Sequence, residues 1–184
     1  LMDVLAREDR LMPHLHLSAQ HGDDTILKRM KRRHLARDLV RFCDEARHRR
    51  PDVVFGADLI AGFPTEDEAA HDATRRMIER AGLTYLHVFP YSAREGTPAA
   101  RMPMLSRAVR KQRSALLREK GDATKTTFFD SLIGTTASVL SEASGRGYTE
   151  HFVPVKLSGE IEAGQVIDVR ITGHAHQALS AERL

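Results

Sequence analysis

The sequence predicts an α/β fold. A parallel sheet, or the latter part of a (β/α) barrel, is expected over residues 1–125 and a small antiparallel β-barrel over residues 126–184. Strand and helix periodicities alternate three times in the first part, which is typical of parallel sheets. After Gly134 only short β-like runs and glycine turns follow, which is typical of small barrels. The net charge changes from +6 in the first part to −3 in the second, which also indicates two units.

The first predicted strand covers residues 13–20. Leu15, Leu17 and Ala19 alternate there with polar residues, at the period of two that a strand shows. A surface strand and a barrel strand with a polar lumen both fit this pattern. The polar residues are His14, His16, Ser18 and Gln20.

Two helices and a second strand follow. A turn at 21–24 and helical spacing over 26–30 predict the first helix, and helical spacing over 35–46 predicts another, which Pro51 ends. The run over 53–61 is almost continuously apolar. This pattern predicts a strand that is buried on both faces of a parallel sheet.

The third repeat begins with the turn at 62–65. Thr65 or Asp67 would cap the next helix, and Gly82 would end it, because glycine adopts the left-handed conformation of a C-cap. A third strand is predicted over 83–89.

The remaining elements lead into the second unit. A loop over 90–103 precedes a long polar helix over 106–132. Short strands are then predicted over 135–141, 151–157 and 165–172, with glycine turns between them.

The chain of 184 residues has one cysteine, Cys43. A single cysteine excludes an internal disulfide framework, a cysteine-rich zinc site and a cysteine-ligated iron–sulfur cluster within this chain. No run approaches the roughly 20 apolar residues of a membrane span, and the first residues lack the layout of a secretory signal. Leu1 stands where a start methionine would, so we expect the chain to be part of a longer one.

The densest basic segment, residues 28–50, has ten Lys or Arg residues against three acidic ones. A solvated helix face and a surface that faces a polyanion both fit this composition. In the second unit, Arg146 and Tyr148 are candidates for nucleic-acid contacts, because small barrels bind nucleic acid through such side chains, and a Tyr148 that belongs to the core also fits. The candidates for phosphate contacts in the basic segment are Arg32, Arg33 and Arg37.

His14 and His16 point the same way from one strand and could share a metal ion. With Asp58 and His87 as further ligands they would form a divalent-metal-dependent barrel hydrolase. Histidines that are hydrogen-bonded inside a polar lumen also fit this pattern.

The carboxyl ends of the predicted strands are the expected place for chemistry in such a fold. These ends, at 18–22, 61–66 and 89–92, are rich in glycine, proline and polar residues. An acidic residue there, such as Glu66, suits a ligand with hydroxyl or ammonium groups. Arg94, in the loop that follows, suits a carboxylate or phosphate.

Five segments stand in order along the first unit: Pro-His-Leu-His-Leu-Ser-Ala-Gln-His-Gly-Asp-Asp (13–24), Leu-Lys-Arg-Met-Lys-Arg-Arg (27–33), Gly-Ala-Asp-Leu-Ile-Ala-Gly-Phe-Pro-Thr-Glu (56–66), Leu-His-Val-Phe-Pro-Tyr-Ser (86–92) and Gly-Thr-Pro-Ala-Ala-Arg-Met-Pro (96–103). Taken together, these segments resemble the methylthiotransferase branch of the radical S-adenosylmethionine enzymes. The last two segments look most like the subgroup that acts on threonylcarbamoyladenosine in tRNA. Residues 126–184 are similar to a TRAM domain, the family's small, OB-like RNA-binding β-barrel.

The resemblance implies an intact cytoplasmic enzyme that binds S-adenosylmethionine and two 4Fe–4S clusters and takes electrons from a donor. Its substrate would be N6-threonylcarbamoyladenosine at position 37, in the anticodon stem-loop of tRNA, and no membrane is involved. The family's Cys-x3-Cys-x2-Cys motif is not in this chain. We therefore expect the carboxyl-terminal part of a radical S-adenosylmethionine partial barrel plus TRAM, with the cluster ligands elsewhere and the isolated chain inactive.

The resemblance also implies roles for single residues. Ile60 would approach the adenine of S-adenosylmethionine, and Val88 would lie on the strand whose backbone borders that adenine. Thr149 and Gly147 would belong to the RNA-binding hairpin of the TRAM domain. The metal-dependent hydrolase and a non-catalytic RNA-binding module remain the alternatives. The candidates for S-adenosylmethionine binding are Ser18, Gln20, Asp58, Ile60, Glu66 and Val88.

Overall fold

The computed structural model describes residues 1–143, 145–159, 161–175 and 177–184. The helices are α1 (Met2–Arg7), α2 (Asp24–Arg29), α3 (Ala36–Arg49), α4 (Glu68–Ala81) and α5 (Arg107–Leu132). The strands are β1 (His14–Gln20), β2 (Val54–Ala61), β3 (Leu83–Pro90), β4 (Thr136–Glu142), β5 (Arg146–Thr149), β6 (Pro154–Leu157), β7 (Val166–Ala175) and β8 (Ala178–Arg183). A 3-10 turn, Pro98–Arg101, lies in the loop before α5.

Strands β1, β2 and β3 form a parallel sheet in that order. The α/β prediction for the first part is confirmed, and each predicted strand differs from the observed one by a single residue at one end. Helices α3 and α4 pack together over one face of the sheet, where Phe55, Leu59, Cys43 and Ile78 are fully buried. The opposite face, which we call the open face, carries the polar side chains of β1.

Helix α4 begins and ends at the predicted residues. The Asp67 side chain accepts a hydrogen bond from the N–H of Ala70 at 2.8 Å, which satisfies one free N–H group of the first turn. Gly82 follows the last turn with a φ of 57°, a left-handed conformation in which a side chain would be strained. These two residues fix the length of the connection between β2 and β3.

The second unit is a closed barrel with the strand order β4-β5-β6-β8-β7. The prediction of a barrel is confirmed, but the prediction that it is antiparallel is wrong at one pair, because β6 and β8 run parallel. Strand directions can alternate around a closed ring only when the number of strands is even. A barrel of five strands therefore requires at least one parallel pair. Its core contains Val139, Val155, Val169, Ile171 and Leu179.

Gly147 lies in strand β5, in a segment that the sequence analysis assigned to a turn. A Cβ atom at this position would lie 2.5 Å from Val139 Cγ1 and 2.6 Å from the Leu140 carbonyl oxygen, which is too close for any real contact. The glycine therefore allows β4 and β5 to pair closely. Helix α1 and strand β8 were also not predicted.

Helix α5 belongs to both units. Its residue Leu117 is buried in the core of the sheet, and Phe129 is buried in the core of the barrel. The predicted domain boundary between residues 125 and 126 lies inside this continuous helix. None of the helices among the described residues is long and apolar enough to cross a membrane.

Replacing Phe129 by alanine should test the contribution of α5 to the barrel. We expect the free energy of unfolding to fall by about 3–5 kcal/mol, because the substitution leaves a cavity in a closed core. The measurement is urea denaturation followed by circular dichroism. Phe89→Ala is the control, since this ring is 54% exposed, and it should cost less than about 1 kcal/mol. Equal losses in the two variants would contradict this role of Phe129.

Candidate functional site

The open face of the sheet is the candidate functional site. Alternate residues of each strand project from it, and the register places His16 opposite Gly56 and Asp58 opposite His87. Three chemically active side chains from three different strands therefore meet on this face. They are His16, Asp58 and His87.

The contacts within this cluster converge on one carboxylate oxygen. His16 Nε2 lies 2.9 Å from Asp58 Oδ1, and His87 Nδ1 lies 3.4 Å from the same atom. The ring centroids of His16 and His87 are 4.6 Å apart. The side chains are partly exposed, so a ligand can reach them from the open face. Two imidazoles and a carboxylate can hold a divalent metal ion, and they can also exchange protons and hydrogen bonds with a polar substrate.

Gly56 makes room for this cluster. A Cβ atom there would lie 2.5 Å from His16 Nδ1, closer than real atoms approach. Without that Cβ atom, the His16 ring can lie over β2 and reach the carboxylate of Asp58. Glycine therefore suits position 56, in the middle of a buried strand, because a side chain there would collide with the His16 ring.

His14 lies apart from the cluster. Its ring packs edge-on against Tyr85 at 5.3 Å and against Phe152 at 5.2 Å between centroids. Its Nε2 atom is buried and has no hydrogen-bond partner among the described residues. Burial, followed by the charges of neighbouring histidines, lowers the pKa of His14, so this imidazole is neutral at physiological pH. The structure therefore groups His16 with His87 and leaves His14 out.

A cleft of about 460 Å³ opens where β1, β2 and β3 end. Ile60, Phe63 and Tyr91 give it an apolar lining, and the Tyr91 hydroxyl is buried without a partner among the described residues. Gln20 ends β1 with a φ of 67°, a left-handed conformation that is strained for this residue. The lining suits a ligand with a flat apolar group and an anionic end. The cationic side chains around the cleft are Arg29, Lys31, Arg32 and Arg94.

Glu66 lies beneath this cleft with no exposed side-chain surface. Its Oε2 atom accepts hydrogen bonds from the N–H groups of Gly62 at 2.6 Å and Phe63 at 3.0 Å, which closes the turn after β2. Arg113 of α5 donates through Nη1 to the Glu66 carbonyl at 2.7 Å and to Oε1 at 3.2 Å. The carboxylate thus joins the end of the sheet to α5.

Two histidines complete the surroundings of Glu66. His21 Nε2 lies 3.4 Å from Oε2, and His71 Nδ1 lies 3.3 Å from Oε1. His21 Nδ1 accepts the N–H of Asp23, so the proton of the neutral ring is on Nε2 and faces the carboxylate. Burial raises the pKa of Glu66, but its contacts with His21, His71 and Gly62 outweigh burial and lower the pKa to about 2.

Cys43 is unsuited to ligating an iron–sulfur cluster. Cys43 is the one cysteine in the sequence, and it is fully buried in α3 against the sheet. Burial raises the pKa of its thiol to about 11, whereas cluster ligands are thiolates.

The predicted S-adenosylmethionine residues occupy three environments. Gln20 and Ile60 line the cleft at the carboxyl ends of the strands, and Ser18 and Asp58 lie on the open face. Val88 is buried, and its carbonyl accepts a hydrogen bond from Arg118 at 2.8 Å. The side chain of Glu66 is fully buried among the protein groups described above. Their roles toward a cofactor stay predictions.

The predicted RNA contacts are also dispersed. Arg32 lines the cleft, while Arg33 and Arg37 are exposed outside it. Arg146 and Tyr148 are exposed on the barrel. Thr149, the remaining candidate, is buried, and its hydroxyl accepts the N–H groups of the two residues His151 and Val153.

Phe63, Tyr91 and Arg29 line the cleft but were not predicted as binding residues. Phe63 and Tyr91 each lie two residues beyond the end of a predicted strand, so the rule that named the carboxyl ends also covers them. Nothing in the local sequence points to Arg113 as the partner of Glu66, because the two are 47 positions apart.

Comparison with curated proteins finds relatives that cover nearly all of the chain. The threonylcarbamoyladenosine tRNA methylthiotransferase of Rickettsia prowazekii is 48% identical over 173 residues, which are 94% of this chain and 41% of that protein. The protein of the same name from Thermotoga maritima is 34% identical over 177 residues, which are 93% of this chain and 41% of that protein.

A second group of relatives has a related name. The tRNA-2-methylthio-N6-dimethylallyladenosine synthase of Cereibacter sphaeroides is 40% identical over 197 residues, which cover 100% of this chain and 44% of that protein. The chain thus spans about two fifths of the length of the curated relatives it matches. No family model matches the chain.

The depressed pKa of Glu66 predicts acid sensitivity. A carboxyl whose pKa is about 2 in the folded state and about 4.5 when unfolded stabilises the fold above pH 4.5, and this contribution is lost as the pH falls toward 2. We expect a loss of about 3 kcal/mol across this window, measured by urea denaturation at successive pH values.

Glu66→Gln removes the titrating group, so its stability should decline less steeply than that of the wild type in the same window. Glu68→Gln is the matched control, because Glu68 pairs with the other terminal nitrogen of Arg113 but is 77% exposed. It should cost less than about 1 kcal/mol. If the stability of Glu66→Gln falls with pH in parallel with that of the wild type, the acid sensitivity does not come from Glu66.

Proposed function

Because the chain is homologous to a carboxyl-terminal portion of the tRNA methylthiotransferases, we propose that it is part of an enzyme that methylthiolates N6-threonylcarbamoyladenosine at position 37 of tRNA. The observation that carries this proposal is the 48% identity over 94% of the chain with a relative of that name. The relatives named for dimethylallyladenosine are 35–40% identical and the threonylcarbamoyladenosine relative of Thermotoga maritima is 34% identical, so the choice of base rests on the Rickettsia prowazekii relative alone.

In this proposal the parallel sheet is the latter part of a radical S-adenosylmethionine partial barrel, and its open face is the lumen. The cleft at the ends of the strands would hold S-adenosylmethionine, with Ile60 near the adenine and Gln20 beside it. The apolar lining supports this placement, as does the Tyr91 hydroxyl, which has no partner within the described part of the chain, and the cleft's cations suit the carboxylate of the methionine moiety. When bound, S-adenosylmethionine supplies the methyl group and the radical precursor.

The cluster of His16, Asp58 and His87 would then face the tRNA base in the lumen and form hydrogen bonds with its polar edge. Ser18 lies on the same face, two residues beyond His16 on β1. The carboxylate of Glu66 would act beneath the cleft by holding the backbone of Gly62 and Phe63 in place.

The tRNA would contact both units of the chain. Arg32 lines the cleft, Arg33 and Arg37 are exposed outside it, and Arg146 and Tyr148 are exposed on the barrel, which we propose is a TRAM domain. The intact enzyme would act in the cytoplasm and take electrons from a donor that reduces its two 4Fe–4S clusters. The ligands of those clusters would lie outside this chain, because Cys43 does not fit that role.

The isolated chain is expected to have no methylthiotransferase activity. Reconstitution of the purified 184-residue chain with iron and sulfide should give no stoichiometric 4Fe–4S absorbance, because the single thiol is buried and protonated. A near-stoichiometric cluster, or methylthiolation of tRNA by this chain, would contradict the proposal.

The contacts around Asp58 also favour a second candidate, a divalent-metal-dependent hydrolase that uses His16, Asp58 and His87. Metal analysis of the purified chain distinguishes the two functions. A tightly held zinc ion that is lost in His16→Ala and kept in His14→Ala would favour the hydrolase, because His14 lies apart from the cluster.

Charge reversal tests the basic surface. We expect a triple variant with glutamate at positions 32, 33 and 37 to bind an anticodon stem-loop RNA more weakly, and to lower the slope of log affinity against log salt by about 3, roughly one per lost phosphate contact. The control reverses three exposed arginines of α4 instead, Arg75, Arg76 and Arg80, and so changes the net charge equally. Fluorescence anisotropy at several salt concentrations measures the affinity and the salt slope of each variant. Equal losses of affinity in the two variants would contradict the assignment of phosphate contacts to Arg32, Arg33 and Arg37.

A further inference from the structure

The turn between β5 and β6, residues 150–153, is tightly held from within. The Thr149 hydroxyl accepts the N–H groups of His151 and Val153, both at 3.2 Å. The N–H of Phe152 donates to the Thr149 carbonyl at 2.9 Å, and the N–H of Thr149 donates to the Val153 carbonyl at 3.1 Å. This network leaves the backbone of Phe152 little freedom.

The same turn is fixed to the parallel sheet. The Tyr85 hydroxyl donates to the His151 carbonyl at 3.3 Å, and His151 Nε2 lies 3.0 Å from the Asp52 carbonyl oxygen. The His151 ring also packs against Phe128 of α5, at 6.0 Å between centroids. The turn is therefore a rigid junction between the barrel and the sheet.

Phe152 stands out within this junction. Its φ is 60°, a left-handed conformation that glycine adopts freely and a phenylalanine adopts only with strain. Its side chain is 55% exposed, so burial of the ring does not offset that strain. A strained residue that the surrounding structure holds in place is a sign of function.

The ring of Phe152 lines a second cleft, of about 420 Å³, between the turn, β3 and α5. One side of the ring contacts His14, at 5.2 Å between centroids. The cleft also contains Arg118, Lys125 and the carboxylate of Asp122. Because charges of both signs line the cleft, it is unsuited to a bare phosphate. The exposed ring of Phe152 is then the main surface that it offers to a ligand.

This cleft leads to the candidate site. His87, a member of the open-face cluster, is one of its lining residues. Tyr85, which lines the cleft, and His14, which contacts Phe152, lie two residues before His87 and His16 on their strands, which corresponds to about 7 Å along the sheet. A nucleotide held at Phe152 would therefore be a close neighbour of one at the cluster.

We propose that Phe152 is a stacking platform for an unpaired nucleobase of single-stranded RNA, bound in this cleft. The inference rests on the proposed function, and it adds a specific base-binding position to it. An aromatic ring stacks on any base because every base has a π-face, and this stacking is worth a large part of single-strand affinity. The stacked base would orient the neighbouring nucleotide toward the open-face cluster.

The test uses the whole chain and an anticodon stem-loop RNA with 2-aminopurine at each loop position in turn. Stacking on an aromatic ring should quench the fluorescence of this base at one position. We expect Phe152→Leu to abolish the quenching and to weaken binding roughly 5- to 150-fold, the range that follows from the loss of one base–aromatic stack. Phe152→Trp should retain both, and Ile133→Ala, which removes an apolar side chain that is 46% exposed, should change neither.

Phe152→Gly separates this role from a structural one. Because glycine adopts the observed φ without strain, the thermal midpoint of this variant should be equal to or higher than that of the wild type, while quenching is lost. A lower thermal midpoint with unchanged quenching and affinity would show a packing role and overturn the inference.

The remaining outcomes are distinguishable. If the wild-type chain binds the stem-loop and Phe152→Leu binds it equally well with the same quenching, the stacking role is overturned and the proposed function stands. If the wild-type chain binds neither the stem-loop nor an unstructured RNA of the same length, the RNA-binding function and the stacking role are overturned together.

Discussion

The buried charge of Glu66 is the constraint on which the arrangement of the first unit depends. A carboxylate without exposed surface is costly unless its oxygens are paired. The partners of Glu66 come from four places: Gly62 in the turn after β2, His21 after β1, His71 on α4 and Arg113 on α5. One side chain therefore fixes the floor of the cleft relative to two helices and the end of the neighbouring strand.

Helix α5 extends this constraint to the barrel. Arg113 near its start contacts Glu66, whereas Phe129 near its end is buried among the barrel strands. The turn that contains His151 provides a second link between the two units, through Tyr85 and Asp52. These two separate links fix the position of the barrel surface relative to the open face, which suits a ligand that must contact both surfaces.

Much of the local structure could be predicted from the sequence. The period-two alternation of β1, the cap at Asp67 and the glycine at position 82 are local signals, and local backbone preferences decide them. The proximity of His16, Asp58 and His87 could be predicted only in part, because it depends on strand register. The ion pair of Glu66 with Arg113 and the left-handed backbone of Phe152 leave no local pattern, since contacts between distant segments produce them.

The strand order of the barrel has a consequence for how the chain acquires its structure. Strand β8 follows β7 in sequence but lies between β6 and β7, so the ring is open until residues 178–183 are in place. Strands β4 to β7 can pair as a curved sheet before then, but β6 and β7 keep unpaired edges. During synthesis from the amino terminus, the parallel sheet can therefore fold well before the barrel closes. The proposed RNA-binding unit would be the last part of this chain to mature.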